Sequence, residues 1–295
     1  MSNLEKSYFK FIKQQEVYGD LFLDKLKQLQ AYYLPICSNI FEKFSHKKKP
    51  LIIGLSGGQG VGKSTVAGIL KIVLQIKFKL NVIYFSIDDF YKTHLERKKM
   101  SKLVHPLFMT RGVPGTHDIK MLNKILKSLR KKNFSSVRIP RFDKSSDDRS
   151  KIKFWQKVKQ RPDIIIFEGW CVGAKPQLLE DLKKPINILE KYEDAKLTWR
   201  KKVNNELKTN YKKIYNLIDK NIYLKVPNFS YVVKWRMLQE KKLRIKSKKK
   251  TMTKKEVKKF VMFYERLTKS MVREHKNNDI VVFIDKKHKI KSVKY

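Results

Sequence analysis

Residues 57–64 read Gly-Gly-Gln-Gly-Val-Gly-Lys-Ser, a complete GxxxxGKS, set between the apolar run 51–55 and a helical pattern over 63–77. Glycines at these positions let the backbone curl until successive N–H groups face inward on one cluster of oxygens. The following helix aims the positive end of its dipole at the same point. The segment therefore commits the chain to a strand–turn–helix unit wrapped around phosphate. The expected cradle runs Gly57, Gly58, Gln59, Gly60, Val61, Gly62, Lys63, Ser64 and Thr65. Lys63 has the reach to contact β- and γ-phosphates, and the Ser64 hydroxyl suits Mg²⁺, so ATP and Mg²⁺ are the expected cofactors. An ordinary glycine-rich turn would have to match four fixed positions in the right context by chance.

The remaining pattern agrees with this unit. Strand-like runs recur at 82–87, 137–139, 163–167, 221–226 and 279–284, separated by helical patterns. Over 118–132, Ile119, Leu122, Ile125, Leu126 and Leu129 share one helical face, and Thr253 with Glu256 forms a capping box ahead of Val257 and Phe260. Several runs are continuously apolar, as in strands buried on both faces. The expected fold is α/β, a P-loop NTPase with a mainly parallel sheet flanked by helices and ligands at the carboxyl ends of its strands. Residues 1–46 read as an N-terminal helical segment, with Leu21, Leu26 and Leu29 at helical spacing. The P-loop domain spans 47–295, and 227–278 is expected as a lid-like helical insertion with a flexible run at 246–250.

With 295 residues, 41% of them hydrophobic, the chain can bury a sizeable core. No apolar run is long enough to span a bilayer. Cys37 and Cys171 lack metal-ligand spacing and are too few for a disulfide framework, which points to a reducing, cytoplasmic setting. The segment 1–20 has no signal-peptide core. A net charge of +42 raises the question of nucleic acid. Yet only 12 of the 69 basic residues are arginine, the side chain that reads bases and phosphates bidentately, and the lysines are spread along the whole chain. Charge patterning therefore disfavours a nucleic-acid function and fits the steering of a small anion such as ATP.

Further candidates follow strand-like runs. Asp88, in Ser-Ile-Asp-Asp-Phe-Tyr after the second run, can accept a hydroxyl proton; Asp88 or Asp89 can equally cap a turn or share Mg²⁺. Glu168 ends an apolar run of Walker B form and faces Mg²⁺ or its waters, unless it is a structural acid. Cys171 beside it reads as a packing residue. In 111–118, Arg111 can bind a carboxylate or phosphate and Asp118 can accept from hydroxyls, against the plainer reading of a turn and helix cap. His117 alone reads as a structural hydrogen-bonder. Arg236, on a helix near the insertion, can neutralise charge on a transferred phosphoryl group or simply sit on a solvated face, and Arg244 is a weaker case.

Together these pieces resemble the P-loop D-glycerate 3-kinase family, relatives of uridine kinase, pantothenate kinase and phosphoribulokinase. They are GLSGGQGVGKST at 54–65, SIDDFY at 86–91, RGVPGTHD at 111–118, PRFDKS at 140–145, FEGWCVG at 167–173, INILEKYED at 186–194, WRKKVN at 199–204 and KWRMLQE at 234–240. The resemblance covers roughly 50–285. It implies an adenylate-kinase-like sheet and ATP-dependent phosphorylation of D-glycerate or a similar small metabolite. It also implies Lys63, Asp88 and Arg236 as catalytic groups and Ser64 and Glu168 at the metal. Asp88, Tyr91, Arg111, His117, Asp118 and Arg149 fall on the acceptor side. Where the family usually carries a glycine-containing linker and Gly-Asp-Arg, this chain has the short Ser146-Asp147-Asp148-Arg149.

Overall fold

The computed structural model describes residues 1–16, 21–246 and 251–295. Its strands, in chain order, are β1 (Leu51–Gly57), β2 (Val82–Ser86), β3 (Val137–Ile139), β4 (Phe142–Asp143), β5 (Asp148–Arg149), β6 (Gln156–Val158), β7 (Ile164–Glu168), β8 (Lys220–Lys225), β9 (Ile280–Ile284) and β10 (Ile290–Lys294). Six of them form one sheet in the order β10-β9-β8-β1-β7-β2. The five strands from β9 to β2 run parallel, and β10 pairs antiparallel with β9.

Alternation along each central strand feeds two cores. Ile53, Leu55, Ile164 and Ile166 point to one face, against Val66, Leu70 and Val73 of the helix Lys63–Lys77. Ile52, Ile165 and Phe167 point to the other, against Leu122, Leu126 and Leu129 of the helix Ile119–Arg130. Both β1 and β7 are buried over their whole length, which is why they read as unbroken apolar runs.

The N-terminal helices belong to the first core. Phe11, on the helix Asn3–Gln15, seats on Gly68, where a Cβ would overlap its ring. Ile36 and Ile40 of the helix Leu34–Lys47 join the same cluster. The expected leucine stripe needs correction. Leu29 is buried, but Leu21 is 64% and Leu26 41% exposed. Leu21 precedes the helical start at Lys25, which follows Asp24 in the left-handed region, so the three never share one helix. A π-turn at Leu29–Tyr33 leads into Pro35, which has no N–H for a regular helical bond.

Three further expectations shift. The strand expected over 82–87 ends at Ser86, because the Ser86 hydroxyl accepts from the Asp88 N–H and the Asp89 carboxylate accepts from the Ser86 N–H. This capping box starts the 3₁₀ turn Ile87–Phe90, so Asp88 sits inside a turn. β3 stays outside the main sheet and pairs antiparallel with β6, and the stretch 141–161, expected as a polar loop, holds the β4–β5 hairpin as well. The segment 227–278 contains the helices Phe229–Lys246 and Lys254–Arg273, the latter capped by Thr253 and Glu256 as read from sequence. Residues 247–250 of the lysine-rich run lie outside the described residues.

Candidate active site

The carboxyl ends of β1, β2 and β7 bring the donor-side residues together. Beyond β1 the loop turns through Gly60 at φ +77°, and a Cβ there would lie 2.7 Å from Trp235 Cβ. Only glycine allows both the left-handed backbone and this approach. The N–H groups of Gly60, Gly62, Lys63 and Ser64 meet no acceptor among the described residues. Lys63 Nζ donates to the carbonyls of Gly57 and Gly58, both at 3.0 Å, and so lies across the mouth of the cradle. The Ser64 hydroxyl donates to Glu168 Oε1 at 3.0 Å. Burial lowers the Lys63 pKa, with Glu168 and Asp88 pulling back. Burial raises that of Glu168, opposed by the Lys63 charge. Free N–H groups, a flexible ammonium held only by neutral carbonyls, and a paired hydroxyl and carboxylate fit a polyphosphate and a hard divalent cation.

Asp88 stands opposite. Lys144 Nζ donates to its Oδ2 at 2.8 Å and the Tyr91 hydroxyl to its Oδ1 at 2.8 Å. Burial pushes this carboxyl up, but Lys144, Tyr91 and His117 outweigh burial and hold it well below the ordinary carboxylate range. Asp89 instead caps its own turn and contacts Arg141 at 3.3 Å, and burial raises its pKa. Of the pair, Asp89 caps the turn, while the Asp88 carboxylate bonds Lys144 and Tyr91.

The segment 111–118 lines the far wall. Asp118 caps the helix Ile119–Arg130 through the Met121 N–H and also pairs with Arg149 at 3.3 Å. Arg149 in turn donates to the Tyr91 carbonyl at 3.1 Å. The Tyr91 and His117 rings stack with centroids 4.6 Å apart. Arg111 pairs with Asp147 and lies over the Phe142 ring, while its carbonyl accepts from the Tyr264 hydroxyl at 3.0 Å. Asp147 belongs to the short segment 146–149, where the chain departs from the family's usual pattern. It takes the left-handed region at φ +55°, which Asp tolerates, and its carboxylate also binds the buried Arg97.

Arg236 sits one residue past the Trp235 contact with Gly60. Its guanidinium pairs with Glu240 at 2.5 Å and lies over Phe260, whose ring packs on Tyr264. Arg244 donates to Thr251 on the exposed side of the same helix. Cys171 is buried, accepts from Tyr215 through its carbonyl, and has its thiol pushed up to about 12 by burial, so it packs as expected. Sequence reasoning missed Lys144, Asp147, Tyr211 and Tyr264. Lys144 was visible inside PRFDKS, whereas the two tyrosines carry no local signal, since their partners are about 95 to 150 residues away.

Comparison with known proteins gives concordant matches. The model of the phosphoribulokinase / uridine kinase family matches residues 52–231. An uncharacterized kinase of Schizosaccharomyces pombe is 36% identical over 225 residues, 73% of this chain and 79% of that one. The chloroplastic D-glycerate 3-kinase of Arabidopsis thaliana is 30% identical over 237 residues, 75% of this chain and 49% of that protein. Among solved structures, a D-glycerate 3-kinase from Cryptococcus neoformans superposes with a TM-score of 0.74 at 25% identity, covering 90% of this chain and 99% of that chain.

Proposed function

Because the chain belongs to the phosphoribulokinase / uridine kinase family and is a P-loop small-molecule kinase, we propose that it transfers the γ-phosphoryl group of ATP to a hydroxyl of a small hydroxy acid, D-glycerate first among them. The observation that carries the reading is Asp88, a carboxylate kept ionised by Lys144 and Tyr91 on the wall facing the phosphate cradle. Support for an acidic acceptor comes from Lys144 on that carboxylate, with Arg149 on the Tyr91 carbonyl and Arg111 over the Phe142 ring, and from the D-glycerate 3-kinases among the relatives.

Each residue then has a task. Asp88 accepts the proton as the acceptor oxygen bonds to the γ-phosphorus and the bond to the β–γ bridging oxygen breaks. Lys63 and the loop N–H groups stabilise charge on the transferring and leaving oxygens. Ser64 and Glu168 would hold Mg²⁺, which when bound neutralises phosphate charge. Arg236 would join the donor side on exchanging Glu240 for phosphate, and Arg111, His117, Asp118, Tyr91 and Arg149 would hold the acceptor. The two buried thiols fit a reducing compartment, and the cytoplasm is the proposed setting. No described helix is long and apolar enough to cross a membrane.

Turnover of D-glycerate against the uncharged analogue glycerol tests the assignment. The wild type should strongly prefer the acid, and Arg111→Ala should erase much of that preference, because a lone anion is costly to leave unpaired in the site. A wild type that takes neither compound but phosphorylates a nucleoside or a sugar would overturn the hydroxy-acid reading and leave the kinase standing.

A further inference from the structure

His117 is 2% exposed, and its two ring nitrogens differ sharply. Nδ1 lies 2.6 Å from the Tyr211 hydroxyl, whereas Nε2 is buried and meets no partner among the described residues. An unpaired buried polar atom is rare and costly, and one retained beside a reaction centre points to a group that arrives later. The ring lies flat against Tyr91, whose hydroxyl is bonded to Asp88, so the bare nitrogen belongs to the wall that holds the proton acceptor.

Tyr211 decides what that nitrogen can offer. Its oxygen accepts from the Gly115 N–H at 3.0 Å. With its oxygen already accepting from the backbone, the phenol has its own hydrogen left to give, and Nδ1 is the acceptor in reach. Nδ1 must then be bare, and the single ring proton of a neutral imidazole sits on Nε2. Burial depresses the ring pKa to about 3, so the neutral form persists through the working pH range.

We propose that Tyr211 is a positioning residue that locks His117 as the Nε2–H tautomer, so that the buried ring donates a hydrogen bond to an oxygen of the phosphoryl acceptor. This rests on the reading that the 111–118 wall receives the acceptor, and it narrows the acceptor class: the atom placed there must carry a lone pair, as a hydroxyl or carboxylate oxygen does, and an ammonium or amide N–H would be rejected. Asp88 and the Nε2–H then divide the labour, one taking a proton and the other giving a hydrogen bond.

The test has two arms on the full chain. Imidazole ¹⁵N–¹H correlation of the free protein, with His117 assigned by loss of its signals in His117→Gln, should show a protonated Nε2 and a bare Nδ1. Tyr211→Phe should disturb that pattern and raise KM for D-glycerate about tenfold, the scale of one hydrogen bond, with KM for ATP unchanged. In His117→Gln, whose side-chain amide offers an N–H at the Nε2 position without help from Tyr211, adding Tyr211→Phe should change KM by less than about twofold. A wild-type His117 protonated on Nδ1 overturns the proposal. So does an Nε2–H form whose loss in Tyr211→Phe leaves the acceptor KM unmoved. The tautomer arm uses no substrate, so failure of the hydroxy-acid reading shows separately, as absence of D-glycerate turnover in the wild type.

Discussion

Asp88 and Glu168 are two carboxylates in one site, driven apart by their surroundings. Burial raises Glu168, while Lys144 and Tyr91 overcome burial at Asp88 and hold it down. Splitting a pair in this way is how one site assigns different work to like groups. Asp88→Asn keeps the shape and loses the proton acceptor, so kcat should fall by roughly 10² or more with ATP affinity intact. Loss of ATP·Mg²⁺ binding in that variant would make Asp88 a metal ligand. Lys63→Ala removes the ammonium that bridges the loop carbonyls and should cut turnover by about 10²–10³ while the fold survives. Unchanged turnover would mean that the loop is not the ATP site. His117 supplies a pH signature. Its folded pKa lies near 3, below the ordinary 6.5, so the unfolded chain binds the extra proton in between. The native state keeps this contribution above pH 6.5 and loses it as pH falls toward 3, with a slope of up to about 1.4 kcal/mol per unit. Denaturant midpoints measured down that window should fall less steeply for His117→Gln than for wild type.

Among the elements, the helices Phe229–Lys246 and Lys254–Arg273 touch both the glycine loop and the segment 111–118. Trp235 on the helix Phe229–Lys246 meets Gly60, and Tyr264 on the helix Lys254–Arg273 donates to the Arg111 carbonyl. Gly112, at φ +135°, lies where a Cβ would overlap the Tyr264 hydroxyl. Gly112→Ala should therefore lower Tm by several degrees and raise KM for the acceptor more than for ATP, readable by thermal melts and steady-state kinetics. A variant with wild-type Tm and KM would show that this contact does not set the acceptor wall. What could be read from sequence at this scale was local. The helix Lys63–Lys77 follows from its glycine turn and apolar stripe, and the Thr253–Glu256 cap from four residues. Pairings between distant segments could not be read. The run 137–139 was legible as a strand, but its partner β6 and the edge β10 are too short and too charged to carry an alternating signal, and their register is set by the assembled fold. Leu21 and Leu26 misled because spacing alone does not reveal that the helix starts only at Lys25, after Asp24 in the left-handed region. The site followed the same rule: residues inside motifs were visible, but the partners that set their chemistry, Lys144 for Asp88 and Tyr211 for His117, belong to the tertiary structure.

For the whole molecule, a net charge of +42 sets a long-range field that attracts polyanions whatever their identity. Added salt should lower kcat/KM for ATP through KM, as screening weakens steering, while kcat changes little. RNA or DNA should compete as a nonspecific polyanion at low salt and should not stimulate turnover. The central claim is that Asp88 and the loop around Lys63 face each other across a phosphoryl transfer to a hydroxyl. Phosphorus NMR of the full chain with ATP, Mg²⁺ and D-glycerate follows that transfer directly. One phosphorylated acceptor should appear for each ADP formed, and neither should appear with Lys63→Ala. ADP accompanied only by inorganic phosphate, across D-glycerate and every other hydroxylated metabolite supplied, or ADP formed only when nucleic acid is added, would contradict it.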